Sequence, residues 1–422
     1  LNSKELEDRE IDLSNLIFPF KFNNSQKDAI KSVLTKNISI IEGPPGTGKT
    51  QTILNLLANL IMQNKTIAVV SNNNEAINNV HEKMKNYAFL IANLGRGEKT
   101  EEFFKNLPII EIDSFKPKEN IQALLEENKF LNKKLENLLN LAKEKAITEK
   151  KINDFILEQK YFENYINNLN VPNMDFAIEL DEEKILEIIF NFQSVVNNKV
   201  FFKLFHDLYY SFKYKLQKLS RNRLNYILNL QRKYYELKIK HLKETLELLD
   251  SELKDAKFDN IQTEQNKISN EIFQHHLYEK YKNKKRAFTN ENYLEQFSSF
   301  IDSFPIILST TYSIRKNIPK DFLFDYVIID ESSQVDLVSG SLALSIAKNA
   351  IIVGDEKQLP QIVDLTIKEN LINPLVKEQY DYFSNNILSS IGKTFNISKK
   401  MLREHYRCHP KIIEFCNIRY YN

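Results

Sequence analysis

The stretch Gly43-Pro44-Pro45-Gly46-Thr47-Gly48-Lys49-Thr50 constrains this chain more than any other. It fits G-x-x-x-x-G-K-[ST], a phosphate-loop pattern that belongs between a strand and a helix. Three of the chain's eight glycines lie here. Glycine lets backbone N–H groups turn toward a phosphate that a Cβ would hold off. Lys49 is placed to reach β- and γ-phosphates, and the Thr50 hydroxyl to hold Mg²⁺. The flanks agree: Ile38-Ser39-Ile40-Ile41 reads as a short buried strand, and Thr52 to Met62 as a helix whose N-terminus faces the anion. A chance Pro/Gly turn would not need both.

At 422 residues and 42% apolar content, the chain has room for roughly two or three domains with real cores. A net charge of +2 is too small to indicate nucleic acid, so any basic surface must be local. Two cysteines, Cys408 and Cys416, build no disulfide framework and suit a reducing cytoplasm. No apolar run approaches the ~18 residues of a membrane span, so no membrane partner is expected. No signal-peptide pattern opens the chain.

In chain order, residues 1–22 read as a loosely held lead-in. A helix opens at Asn23-Asn24-Ser25-Gln26 with Ser25 as its cap. After the phosphate loop, Thr66 to Ser71 is a second strand, Asn72 to Lys85 a helix, and Tyr87 to Ala92 a third strand. This alternation predicts a parallel α/β sheet. From Glu98 to Ser339 glycine is absent. Leu131, Leu135, Leu138 and Ala142 step by heptad spacing, as do Leu242, Leu246, Leu249 and Leu253. Segments near 118–168 and 222–285 are expected to pair as an antiparallel stalk with a tip around Phe201 to Tyr214. Short strands resume at Pro305 to Ser309, Tyr326 to Ile329 and Ala350 to Val353. The expectation is an α/β fold, a doubly wound parallel sheet, interrupted by a long all-helical, coiled-coil insertion.

Asp330-Glu331 closes the strand Tyr326 to Ile329, at the strand end where parallel sheets bind ligands. Set against the phosphate loop, Asp330 would hold Mg²⁺ through water and Glu331 would polarise an attacking water. A solvated strand end is the plain alternative. Gln358, in the turn Gly354-Asp355-Glu356-Lys357-Gln358, is placed to hydrogen-bond a γ-phosphate or its water, or else decorates a surface loop. Arg403, His405, Tyr406, Arg407, Cys408 and His409 form a further polar cluster. A guanidinium fits phosphate oxygens and a tyrosine stacks on a base. The paired knuckles of structural zinc are missing there. The aromatic–basic stretch Lys199 to Lys218 packs a helical tip, or stacks on bases.

Together these elements resemble superfamily 1 helicases and, within them, the Upf1-like (DNA2/NAM7-like) family. Asn24-Ser25-Gln26 looks like the adenine-reading Q motif and Gly43 to Thr50 like motif I. Val70-Ser71-Asn72 with Asn78-Asn79-Val80 resembles motif Ia, and Leu308-Ser309-Thr310-Thr311 the next strand-end motif. Asp330 to Gln334 resembles motif II, Gly354 to Pro360 motif III, and Leu402 to Pro410 motif IV. The insertion carries no motif of the family.

The resemblance implies a RecA-like phosphate-loop domain, ATP and Mg²⁺ as cofactors, and 5′–3′ movement on single-stranded DNA or RNA driven by ATP hydrolysis. It implies that Gln26 reads adenine and Tyr406 stacks on it, and that Lys49, Gln358 and Arg407 surround the γ-phosphate. Ser71, Asn72 and Thr310 would hold the nucleic-acid backbone. Domain ranges follow: 1–97 and 302–395 as the first motor domain, 98–301 as the insertion, and 396–422 as the start of a second motor domain. The chain begins at Leu1 and stops soon after motif IV, so the expectation is a first motor half that binds ATP but turns it over poorly alone. The stalk leaves open a protein partner. An SMC-like coiled-coil ATPase is the main rival, but the residues before Asp330 hold no glycine signature. A nucleotide-binding scaffold without turnover is the other.

Overall fold

The computed structural model describes residues 12–174, 181–194, 223–256, 258–363, 377–395, 397, 399–404, 415 and 417–421. Runs such as Ile-Ala-Val-Val-Ser bury every side chain, which a strand achieves only with cover on both faces. Seven strands form one sheet: β1 (Ile38–Glu42), β2 (Ile67–Ser71), β3 (Ile91–Asn93), β4 (Ile306–Thr310), β5 (Phe324–Ile329), β6 (Ala347–Gly354) and β7 (Lys400–Met401). Their order is β3-β4-β2-β5-β6-β1-β7, and the pairings are parallel. The fold is therefore mixed α/β. β3 pairs with β4 although the whole 94–305 stretch separates them in sequence. β7 takes the sheet beyond the boundary expected at 395/396.

The chain divides into two compact units, residues 1–133 with 261–422, and residues 134–260. The first holds the sheet and its covering helices: α1 (Asn24–Leu34), α2 (Lys49–Met62), α3 (Asn74–Lys83), α4 (Gly97–Lys105), the first turns of α5 (Ile121–Asn168), then α8 (Phe258–Tyr281), α9 (Phe297–Ser303), α10 (Leu337–Leu344) and α11 (Ile387–Phe395). Ile40, Val70, Ile307, Val327 and Ile352 meet in its core with Phe300 and Phe304. Each such side chain contributes about 1.5–3 kcal/mol on full burial.

The second unit is helical. It holds the rest of α5, α6 (Glu182–Ser194) and α7 (Arg223–Asp255). Ile185 and Ile188 of α6 bury against Tyr226 and Leu230 of α7. Lys145 pairs with Asp250 at 2.6 Å and Arg232 with Glu163 at 2.8 Å. Along α5 the partners rise from 145 to 163 while along α7 they fall from 250 to 232, so these two helices run antiparallel. Of the heptad positions, Leu131, Leu135, Leu138 and Leu249 are buried. Leu242, Leu246 and Leu253 are half-buried, and Ala142 is exposed. The tip expected at Phe201 to Tyr214, within the aromatic–basic stretch Lys199 to Lys218, lies outside the described residues.

Three local expectations are corrected. The cap of α1 is Asn23, not Ser25: its side chain accepts the Gln26 N–H while Gln26 answers to the Asn23 N–H, a reciprocal capping box. The third strand begins at Ile91, because Lys85–Leu90 form a 3₁₀ turn that buries Tyr87 against Phe273. The lead-in, where described, is not loose. Leu16, Ile17, Phe18 and Phe22 are buried, and amide side chains hold its backbone from three helices. On α2, Asn59 brackets the Ile17 peptide groups at 3.0 and 2.7 Å, and Asn55 brackets those of Phe20 at 3.0 and 3.1 Å. Asn128 and Asn132 of α5 donate to the Leu16 carbonyl, and Asn266 of α8 donates to that of Phe18. Burial without such partners would leave costly unpaired peptide groups.

Candidate nucleotide site

The sheet order sets the ends of β1, β6 and β5 side by side, so the loops that follow them meet at one edge. From β1 the chain enters the Gly43 to Gly48 loop. Gly46 and Gly48 have φ of +84° and +86°, a region that side chains with a Cβ avoid. Thr47 ties the loop to itself, its N–H and hydroxyl donating to the Pro44 carbonyl at 3.3 and 2.8 Å. Gln26 Nε2 donates to the Thr47 carbonyl at 3.0 Å, from a side chain that is almost wholly buried. Pro44 is buried and Pro45 exposed. α2 starts at Lys49 with no side chain capping it, whereas α1, α3 and α10 are capped by Asn23, Asn73 and Asp336. An uncapped N-terminus keeps donors and partial positive charge for an anion.

Lys49 is buried; its Nζ donates to the Gly43 carbonyl at 3.1 Å and stands 3.6 Å from Glu331 Oε1. Glu331 holds a left-handed φ of +48° as the chain turns out of β5. Its other oxygen, Oε2, is buried with no hydrogen-bond partner. Asp330 beside it is buried, and its Oδ1 accepts the Glu331 N–H at 2.9 Å. Burial, reinforced by the Glu331 charge, pushes the Asp330 carboxyl up to about 6. A cation would reverse that balance. Among the described residues no group of three or more His, Cys, Asp or Glu side chains could hold a metal ion by itself. The Asp330 carboxylate and the Thr50 hydroxyl suit a hard divalent ion that takes its remaining oxygens from phosphate and water. Thr50 Oγ1 meets Asn79 Nδ2 at 3.5 Å.

After β6, Gln358 Nε2 donates to Asp355 Oδ2 at 3.1 Å, and the Tyr421 hydroxyl donates to the same oxygen at 2.6 Å. On the other half of the edge, Ser71 is fully buried, and its hydroxyl accepts the Asn73 N–H at 3.2 Å. Asn72 joins Thr311 and the Gln334 carbonyl. Thr310 donates to Ser313 Oγ at 3.0 Å. Tyr406 and Arg407 lie outside the described residues, as do His405, Cys408, His409 and Cys416.

The family profile described as an AAA domain (AAA_11) matches residues 21–364, well over half of the chain. The chain belongs to this family, the Upf1-like (DNA2/NAM7-like) helicases. It is 38% identical over 79 residues to the DNA polymerase alpha-associated DNA helicase A of Schizosaccharomyces pombe, covering 18% of this chain and 12% of that protein. It is 42% identical over 66 residues to the putative ATP-dependent RNA helicase ECM32 of Saccharomyces cerevisiae, covering 15% and 6%. It is 38% identical over 65 residues to regulator of nonsense transcripts 1 of Caenorhabditis elegans, covering 15% and 6%. The matched stretches thus span a small fraction of these relatives' lengths.

In this AAA_11 chain, two residues that shape the site escaped the sequence reading. Glu42, the last residue of β1, is buried and accepts the Glu356 N–H at 3.1 Å, with Lys399 Nζ at 3.7 Å. An acid ending an apolar strand next to a phosphate loop was the available signal. Ser332 donates to the Val353 carbonyl at 2.8 Å, and a Cβ on Gly354 would come within 2.4 Å of its oxygen. That contact has no sequence signature.

Proposed function

We propose that this chain is the first motor half of an ATP-dependent helicase or translocase that moves 5′ to 3′ along single-stranded DNA or RNA. The observation that carries the reading is the Lys49–Glu331 approach at 3.6 Å, with a second carboxylate oxygen buried and unpartnered. A buried ammonium beside a glycine cradle binds phosphate, and a free carboxylate oxygen next to it accepts a proton from water. Water attacks the γ-phosphorus, the bond to the β–γ bridging oxygen breaks, and ADP and phosphate leave, with Glu331 taking the proton. Thr50 and Asp330 would hold Mg²⁺, which supplies charge neutralisation on the phosphates. Gln358 and Arg407 complete the γ-phosphate surroundings. Gln26 and Tyr406 serve the adenine. Ser71 and Thr310 serve the nucleic-acid strand. The relatives' names, among them a DNA helicase and a putative RNA helicase, support the activity and leave both tracks in play.

On this reading, the unit of residues 1–133 with 261–422 holds a RecA-like domain, residues 134–260 form a helical stalk open to a protein partner, and the chain beyond β7 leads into a second RecA-like domain. No described helix is long and apolar enough to cross a membrane, and the scarcity of cysteine supports a cytoplasmic setting. The test is ATP turnover by the full-length protein, with and without single-stranded DNA or RNA, in wild type, Lys49→Ala and Glu331→Gln. Strand-stimulated turnover lost in both variants is the expected result; full turnover in both would remove the motor reading and favour a scaffold.

A further inference from the structure

β2 lies between β4 and β5 in the sheet, and Asn72 is the first residue beyond β2. Its side chain reaches both neighbours. Oδ1 accepts the hydroxyl of Thr311, just past β4, and Nδ2 donates to the Gln334 carbonyl, just past β5, at 3.0 Å. A carbonyl only accepts, so the orientation of the amide follows from its partners. The backbone runs the same way: the Thr311 N–H donates to the Ser71 carbonyl at 3.3 Å and the Asp330 N–H to that of Val70 at 2.9 Å.

Gln334 ends the short 3₁₀ turn that begins next to Glu331, and its N–H donates back to the Glu331 carbonyl at 2.9 Å. A glutamate at φ +48° persists only where surrounding contacts hold it. Asn72 fixes the far end of that turn. Its opposite end holds Thr311, next to Thr310, and Thr311 is fully buried. An amide engaged at both ends has little left for a phosphate oxygen.

We infer that Asn72 is a positioning residue that couples the loop after β4 to the acidic turn carrying Glu331, so that a strand engaged at the first loop is felt at the second. This rests on the reading of the chain as part of a nucleic-acid-driven ATPase.

The experiment uses full-length protein and one mixed-sequence 20-residue oligonucleotide, as DNA and as RNA. It reads the ratio of stimulated to unstimulated kcat at saturating strand, and strand Kd by fluorescence anisotropy. Asn72→Ala lowers the ratio about tenfold while Kd stays within about twofold. Asn72→Asp keeps the acceptor for Thr311 but sets a carboxylate against the Gln334 carbonyl, and lowers the ratio as alanine does. Thr311→Val lowers it too, and the double variant Asn72→Ala/Thr311→Val is no worse than the worse single one. Two results overturn the inference: Kd weakened tenfold with the ratio restored at saturating strand, which makes Asn72 a strand contact, or a ratio preserved in all variants. No stimulation of the wild type by either strand sinks the motor reading itself, a different failure.

Discussion

Lys49 and Glu331 follow strands that do not touch, β1 and β5 with β6 between them, yet their charged groups approach to 3.6 Å. The phosphate loop and the acidic turn are thus held in register by the sheet. Glu331→Gln keeps the shape and removes the base. We expect turnover in the full-length protein to fall by roughly 10²–10⁴-fold, with ATP affinity retained. Lys49→Ala instead weakens Mg-ATP binding by about tenfold or more, since it deletes a charge-assisted contact. Equilibrium binding beside steady-state kinetics separates the two; equal loss of affinity in both variants would contradict this division of roles.

Gly48 has φ +86°, and a Cβ there would sit 2.2 Å from Gln26 Nε2. Gly48→Ala therefore combines about 1–2 kcal/mol of backbone strain with displacement of the side chain that holds the Thr47 carbonyl. Calorimetric titration with Mg-ATP should show affinity reduced at least about tenfold. Gly97→Ala, where a Cβ meets nothing within 4 Å, is the matched control and should bind as wild type does.

Asp336 caps α10, accepting the N–H groups of Val338 and Ser339 at 2.9 and 3.0 Å. Burial alone would raise its carboxyl, but the hydroxyl and N–H of Ser339, the Tyr312 hydroxyl and the Val338 N–H outweigh it and hold the group below the usual carboxylate range. A folded value below the unfolded one gives stability that is present above about pH 4 and lost as pH falls through the folded value. Asp336→Ala should destabilise by about 1 kcal/mol at pH 6. Urea midpoints should show the gap to wild type narrowing by pH 3; an unchanged gap would refute the capping account.

Removal of the second unit is best tested at its own limits. Asn128, Asn132, Gln262 and Asn266 lie outside residues 134–260 and bind the backbone of the 14–22 segment. Replacing 134–260 by a flexible Gly/Ser linker should preserve ATP binding. Removing 101–291 takes these four amides away and should lower the melting temperature by several degrees relative to the shorter deletion. Equal melting behaviour of the two would mean the amides contribute little.

The parallel sheet was legible because buried strands read as short apolar runs, as at Ile67–Val70 and Tyr326–Ile329. The phosphate loop was legible because glycine at positive φ is a backbone requirement written into residue identity. The 3₁₀ turn before β3 was not, since Tyr87-Ala88-Phe89-Leu90 is as apolar as a strand and only packing on Phe273 decides between them. The order of residues 12–22 was not legible either. Its stabilisers are asparagines and glutamines far away in sequence, which carry no periodic signal in a chain rich in such residues. The same holds for Asn72, whose two partners are 239 and 262 residues distant.

That asparagine-held segment also sets a timetable for synthesis. Asn59 is 42 residues from Ile17, whereas Asn266 is 248 residues from Phe18. At about 5–20 residues per second, the α2 side of the segment can close within roughly ten seconds of translation, but the α8 side waits about 12–50 s. For that interval the carbonyls of Phe18 and Phe22, residues whose rings stack at 4.2 Å in the finished protein, lack the Asn266 and Gln262 donors. A segment made early in this stretch of chain is among the last to be locked.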